Sequence, residues 1–424
     1  MESGEALYGR AGAVPPARSA VLKAVAGWVP GEPVRNDALP TGWGVDDAWV
    51  RSRTGIGSRH RAGAGVSTGD LAYEAARRLI GPADDSRTAG GGAAARGGTA
   101  GAGRTGAAGA GGANGGGGGA DGRAGLDAGG GGGAPGGVPT VLGGPGRDRR
   151  TEPAARAGTR SVVDAVVLAT ATPDHPCPAT APALAARLGL GQVPAFDIGA
   201  VCSGFVYGLA VCQGLIVSGL YDRVLLVGAD AYSTWLDPGD RSTGVVFGDG
   251  AGAALIGAGG PGDPGELLAF DLGSDGTGYG LVTVEGGGSR ARSLPGPAAE
   301  GDQYFRMSGQ TVYQHAVERM TGSCRSLLRT VGWHADQVDH FVPHQANGRI
   351  LRSVADRLGI GEERCVIHLD RVGNTGAASL PLALADGAAR ERFRAGDRML
   401  LTAFGGGLTW GTAALRWPET WPEA

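Results

Sequence analysis

Three polar side chains, far apart in the chain, have the types and settings that acyl chemistry needs. Cys202 lies in DIGAVCSGF and is followed by small and apolar residues at helical spacing, with no charge between Asp197 and Asp222. This stretch predicts a strand end, a tight turn carrying Cys202, and a buried helix. A cysteine at a helix N-terminus faces unpaired N–H groups and the positive end of the dipole, which favour thiolate over thiol. The bland alternative is a small core residue. His344, in VPHQANGRI, follows an apolar strand in a turn before a helix; its alternative is a satisfied structural imidazole. Asn374, in DRVGNTGAASLPLAL, sits in a glycine turn before another helix; its alternative is an ordinary turn or cap asparagine. Three such groups at strand-to-helix junctions mean more together than singly, because ligands of parallel sheets gather at strand C-termini.

Cys, His and Asn in this order admit two chemistries. In a cysteine hydrolase, His is the base and Asn orients it. In thioester chemistry, Cys takes an acyl group while His and Asn donate hydrogen bonds to a developing enolate. The papain-type CGSCW context is absent, and the junctions are built of Gly, Ala and Ser. GDGAG lacks both the GxGxxG spacing and the GK[ST] signature of phosphate loops.

The elements that must position these groups follow an α/β rhythm. Val21–Val29 reads as a first strand and Ser67–Ile80 as a helix. In GWGVDDAWVRSRTGIGSRH, Trp49 and Arg53 are four apart, hence on one face if helical. Val162–Thr170 reads as a buried strand, VPAFDIGAV as the strand leading to Cys202, and Tyr221–Ala229 as another. GVVFGDGAGAALIGAG reads as two strands around a glycine turn. Leu267–Leu272 opens a second half, with helices at Ser308–Val331 and Gly348–Leu358 and a strand at Met399–Phe404. FGGGLTWGTAALRW resembles FGDGAGAALIG, which points to an internal duplication. The alternation predicts a mostly parallel sheet covered by helices.

The 424 residues carry a net charge of -3, so no global basic field attracts nucleic acid. Lys23 is the only lysine, and the 83 glycines and abundant arginine read as coding bias. Five cysteines without a CxxC pair argue against a disulfide framework and a zinc site and suit a cytoplasmic location. No signal peptide is recognisable at the N-terminus. Ile198–Tyr221 is long enough to raise a transmembrane reading, but its glycines, cysteines and polar residues favour a helix through an α/β core. From about Gly81 to Thr159 the chain is glycine and alanine with scattered Arg and Asp, which predicts a disordered insertion between a helix and a strand. Loop closure tolerates such a length; the insertion either interferes with contacts between subunits or loops into solvent, and cleavage at Arg104 or Arg123 that leaves activity intact supports the second.

DIGAVCSGF, VFGDGAGAA, VPHQAN, GNTGAAS and FGGGLTWG, with GWVPGEPVRND and RSRTGIGSRH, together resemble the β-ketoacyl-acyl carrier protein synthase III family of the thiolase superfamily. The resemblance runs from Val21 to Trp417 apart from the insertion. It implies a duplicated five-layered α/β/α/β/α thiolase-like fold: an N-terminal half, 21–80 plus 160–260, carrying the nucleophile, and a C-terminal half, 265–418, carrying His and Asn, with the insertion at 81–159. It further implies a homodimer.

Position by position, the resemblance makes Cys202 the acylated nucleophile and His344 and Asn374 the pair stabilising the enolate of a decarboxylating malonyl thioester. The N–H groups of Cys202 and Gly406 match the oxyanion hole. Trp49 and Arg241 match residues that sandwich the adenine of coenzyme A, with Arg53 near the same nucleotide. Arg349 matches a residue receiving the acidic carrier protein, with Arg357 and Arg352 on the same predicted helix; a solvated helix face is the alternative, and the one favoured for Arg352. The sequence departs from the family at Gly376, where serine is common. It departs again at Cys177, where a bulky residue often lines the acyl pocket at the dimer interface, so a longer or branched starter is expected to fit.

The expected reaction is a decarboxylative condensation of an acyl-CoA with malonyl-acyl carrier protein, initiating fatty acid or polyketide chains without a metal or cofactor beyond the coenzyme A thioester itself. The alternatives are acyl transfer to a hydroxyl or amine without decarboxylation, and an inactive paralogue that only binds.

Overall fold

The computed structural model describes residues 17–80 and 162–419. The glycine-rich insertion expected at 81–159 lies outside the described residues.

Two sheets carry the architecture. The first contains β1 (Ser19–Trp28), β2 (Ala165–Ala169), β3 (Ala195–Ile198), β4 (Arg223–Asp230) and β5 (Gly250–Gly259), in the order β1-β5-β4-β2-β3. The second contains β6 (Leu267–Ser274), β7 (His340–Pro343), β8 (Arg398–Gly405) and β9 (Thr409–Arg416), in the order β7-β8-β9-β6. In the first sheet β1/β5 and β5/β4 are antiparallel, whereas β4/β2 and β2/β3 are parallel. The second repeats this pattern: β6/β9 and β9/β8 are antiparallel, β7/β8 is parallel, and a parallel bridge from Phe341 to Cys365 stands where the first sheet has β3. The expected duplication is therefore present as topology.

Two expectations are corrected. Both sheets are mixed, because each half ends in an antiparallel hairpin (β4–β5 and β8–β9) that periodicity alone does not distinguish from crossovers. Gly244–Gly259 also holds one strand, not two. Val245–Asp249 is instead a connection, tied by the Asp249 carboxylate, which accepts from Ala62 N–H and Ser233 N–H, and by a bridge from Phe247 to Asn374.

Helices form the remaining layers. α1 (Asp47–Thr54) starts at Asp46, whose carboxylate accepts from Trp49 N–H. α2 (Thr68–Ile80) and α3 (Ala181–Arg187) cover the outer face of the first sheet, with Leu71, Ala75 and Leu184 buried against Val166, Leu168 and Val227. α4 (Gly204–Val217) lies between the sheets. Its Phe205, Leu209, Cys212 and Ile216 join residues of both sheets in one core, which is why it carries no charge. α5 (Gly309–Val331) covers the second sheet, α6 (Gly348–Leu358) packs against α5 with Leu351 and Val354 in one core with Phe341 and Leu400, and α7 (Ser379–Ala389) shares the central layer with α4. The order is the five-layered α/β/α/β/α arrangement. At 14 residues α4 is about 21 Å long, short of a bilayer core. Among the described residues no helix is long and apolar enough to cross a membrane.

Candidate active site

Cys202 sits in a single helical turn, Val201–Ser203, leading into α4. Val201 has φ +46°, a left-handed conformation disfavoured for a β-branched residue, so the turn is locally strained. The FGGG turn closes over it. A Cβ on Gly405 would lie 2.8 Å from Cys202 N, so only glycine permits this approach. Ser203 Oγ donates to Thr409 Oγ1 (2.8 Å), and Thr409 Oγ1 reaches the carbonyls of Gly406 (3.1 Å) and Ala200 (3.2 Å). These bonds join the two turns that present the N–H groups of Cys202 and Gly406.

His344 follows β7, and its N–H donates to the Thr402 carbonyl of β8 (2.7 Å). Gln345 holds the turn: its Nε2 donates to Pro343 and Val366 carbonyls, and its Oε1 accepts from the N–H groups of His368 and Leu369. His344 Nδ1 lies 2.5 Å from Ser379 Oγ, which also accepts from Gln345 N–H at 3.4 Å. When the serine hydroxyl donates to Nδ1, the neutral ring carries its proton on Nε2. Asn374 is 5% exposed and its Oδ1 accepts from Gly376 N–H at 3.0 Å, leaving Nδ2 as the donor end of the amide.

The Asn374 turn is anchored to the other half. The buried Asp230, at the end of β4, accepts from Ala377 N–H (2.7 Å), Ala171 N–H (2.7 Å) and Thr170 Oγ1 (3.0 Å). Gly376 has φ +58°, and a Cβ there would fall 2.1 Å from Asp230 Oδ2 and 2.4 Å from Tyr232 Cε2. Those contacts explain the missing serine at Gly376.

Cys202, His344, Asn374, Gly405 and Gly406 line one cavity of about 670 Å³, with Trp49, Arg53 and Arg349 also in its wall. Much of the remaining lining is apolar, from Val245, Phe247, Phe305, Val312 and Met320. Burial pushes the Cys202 thiol up to about 12, reinforced by the Asp230 carboxylate, while the Tyr232 hydroxyl and the Cys202 amide pull it down. Burial alone pushes His344 down to about 3. The resting pair is therefore neutral thiol and neutral imidazole, and the thiolate that the helix-start position suggested is outweighed by desolvation.

Around Trp49, the guanidinium carbons of Arg53 and Arg241 lie 4.3 and 5.4 Å from the ring centroid. Arg349 is exposed at the start of α6 and donates to the Ser52 carbonyl (3.1 Å) of α1. Arg352 and Arg357 are exposed on the same helix, outside the cavity wall. Cys177 is exposed and is not part of the cavity wall within the chain. Among the described residues no group of three His, Cys, Asp or Glu side chains could hold a metal.

Tyr232, Ser379, Gln345 and Asp230 were not singled out from the sequence. Ser379 and Gln345 lie inside GNTGAAS and VPHQAN, so those motifs contained the signal. Tyr232 and Asp230 lie in GADAYSTW, which carries no pattern pointing to the site.

Residues 196–276 match the family model described as 3-oxoacyl-[acyl-carrier-protein] synthase III, and residues 328–417 match the model of its C-terminal part. A Streptomyces coelicolor protein named β-ketoacyl-[acyl-carrier-protein] synthase III 5 is 43% identical over 94% of this chain and 97% of its own length. A Pseudomonas aeruginosa β-ketoacyl-[acyl-carrier-protein] synthase III is 42% identical over 96% of this chain and 98% of its own. The crystal structure of 3-oxoacyl-(acyl carrier protein) synthase III from Pseudomonas aeruginosa superposes with TM-score 0.71 at 40% identity, covering 95% of this chain and 100% of that one. The priming β-ketosynthase of the R1128 polyketide pathway gives TM-score 0.71 at 25% identity, covering 97% of this chain and 99% of that one. With the cysteine, histidine and asparagine gathered in one cavity at the meeting of two duplicated halves, this chain belongs to the β-ketoacyl-acyl carrier protein synthase III family.

Proposed function

We propose that the chain condenses an acyl-CoA with malonyl-acyl carrier protein and starts a fatty acid or polyketide chain. The observation that carries this reading is the presence of Cys202, His344 and Asn374 in the wall of one largely apolar cavity. In the first half, Cys202 Sγ attacks the thioester carbonyl, coenzyme A leaves as the thiol, and the acyl group stays on sulfur. In the second, the malonyl carboxylate leaves as carbon dioxide and its electron pair enters the thioester as an enolate. His344 Nε2–H and Asn374 Nδ2–H donate to the enolate oxygen. Both donors are neutral and preorganised in a buried site, where they stabilise developing charge without reorganising. The carbanion attacks the acyl-cysteine, the oxyanion rests on the N–H groups of Cys202 and Gly406, and the C–S bond breaks to release the β-ketoacyl product.

Trp49, Arg53 and Arg241 hold the coenzyme A nucleotide in this reading. Arg349, with Arg357 further along α6, receives the acidic carrier protein, consistent with exposed guanidinium groups beside the cavity. The reaction requires no metal or added cofactor. The enzyme acts in the cytoplasm as a homodimer, in which Cys177 reaches the partner's acyl pocket.

The test is sequential. Incubation with a panel of acyl-CoAs should give an adduct on the Cys202 peptide by mass spectrometry, and malonyl-carrier protein should then give carbon dioxide and an extended product. No adduct on Cys202 sinks the reading. An adduct without carbon dioxide release converts it to acyl transfer without decarboxylation.

A further inference from the structure

Tyr232 is buried beside the nucleophile and has no place in the chemistry described so far. Its Oη lies 4.0 Å from Cys202 Sγ, within reach of a hydrogen bond to sulfur. The ring is held on several sides. It stacks on Phe247 (centroids 4.7 Å apart, planes at 24°) and meets Phe305 (5.6 Å, 90°) and Trp235 (6.1 Å, 85°) edge to face. The side chain is 1% exposed, and Cys202 Sγ is the one hydrogen-bond partner of its hydroxyl among the described residues. A buried phenol is normally given a carbonyl or carboxylate; this one is given the reacting sulfur.

We propose that Tyr232 is a further catalytic residue of this chain, donating its hydroxyl hydrogen to the Cys202 sulfur as that sulfur becomes anionic in acyl loading. For the loading step the inference rests on the synthase reading above. Either atom can donate while the thiol is intact, but only the phenol can donate once the proton has left. The contact therefore favours the charged form selectively. The phenol stays protonated, because burial and the neighbouring Cys202 and Asp230 raise its pKa well above the usual tyrosine value. In the loading step the Cys202 thiol proton ends on the departing coenzyme A sulfur, the new C–S bond forms and the old one breaks. The phenol gives up no proton. Once Cys202 carries the acyl group its sulfur is a poor acceptor, so Tyr232 acts on loading more than on the decarboxylation that follows.

Tyr232→Phe removes the oxygen and keeps the aromatic stack. Alkylation of Cys202 by iodoacetamide at about pH 8, followed by mass spectrometry, should slow about tenfold, the loss expected for one hydrogen bond to a developing charge. Acyl-CoA loading should slow similarly, and carbon dioxide release by already loaded enzyme should slow by less. An unchanged alkylation rate overturns the proposal. So does an equal loss in alkylation, loading and carbon dioxide release accompanied by a lower melting temperature, which would mark Tyr232 as packing alone. The alkylation arm needs no acyl-CoA, so failure of every acyl-CoA to load the wild-type chain counts against the synthase reading and not against Tyr232.

Discussion

At the scale of single residues, the cavity keeps its cysteine and histidine neutral. Charging either Cys202 or His344 in the resting cavity is opposed by burial, with Cys202 pushed up to about 12 and His344 down to about 3. A cationic His344 would bind the malonyl carboxylate before it leaves and oppose its loss, whereas a neutral Nε2–H stabilises charge only as it develops. In the proposed mechanism Asn374 serves the same oxygen, through an amide whose other end accepts from Gly376 N–H. Asn374→Ala should therefore slow carbon dioxide release by about a hundred- to a thousandfold, as for loss of one preorganised donor. Cys202 should still load, so a pulse of acyl-CoA followed by malonyl-carrier protein separates the two effects.

At the scale of elements, the turns before α4 and α7 decide whether those groups meet. The Asn374 turn is held by Asp230 from one side and by Arg371 from the other, through a two-bond pair with Asp386 of α7 (2.8 and 2.6 Å). Gly376 lets this turn press onto Asp230 and Tyr232. Gly376→Ser restores the residue common in the family but adds a Cβ where the backbone has φ +58° and no room. It should destabilise the chain by about 1–3 kcal/mol through strain and overpacking, read from urea unfolding. It should also slow carbon dioxide release by displacing Asn374. An unchanged variant would mean that Asp230 and Tyr232 yield readily.

At the scale of the molecule, the site exists because two copies of one topology meet across a shared central layer. Cys202 and Tyr232 come from the half built on the first sheet, and His344 and Asn374 from the half built on the second. Burial at this junction also links stability to pH. His344 has a folded value of about 3 and His368 about 4, both lowered by burial from 6.5. Below 6.5 the unfolded chain binds more protons, so each histidine removes stability as pH falls. Asp230, raised to about 6 by burial, acts in the opposite sense between its unfolded value of 3.8 and that point. The His344 contribution is isolated by comparison: His344→Gln should lose about 2 kcal/mol less than the wild-type chain between pH 7 and 5. Urea unfolding at both values checks this, and parallel losses would show that His344 is not buried neutral.

The sequence by itself singled out the residues that the structure gathers in one cavity, and where the turns carrying them fall. Glycines and small residues cannot hide in DIGAVCSGF, VPHQAN, GNTGAAS and FGGG, because backbone approach and tight turns demand those types locally. It also determined the elements that follow from hydrophobic spacing, including α4, whose lack of charge reflects burial on all sides. Tertiary structure alone decided that the sheets are mixed, since strand direction depends on which partner a strand finds. It alone turned Gly244–Gly259 into a connection and one strand, through the distant contacts of Asp249 with Ala62 and Ser233. It alone reversed the expected ionisation of Cys202, because the helix start is a local property whereas desolvation is imposed by the whole surrounding core. It also placed Tyr232 against that sulfur, a contact between residues 30 positions apart that no local pattern encodes.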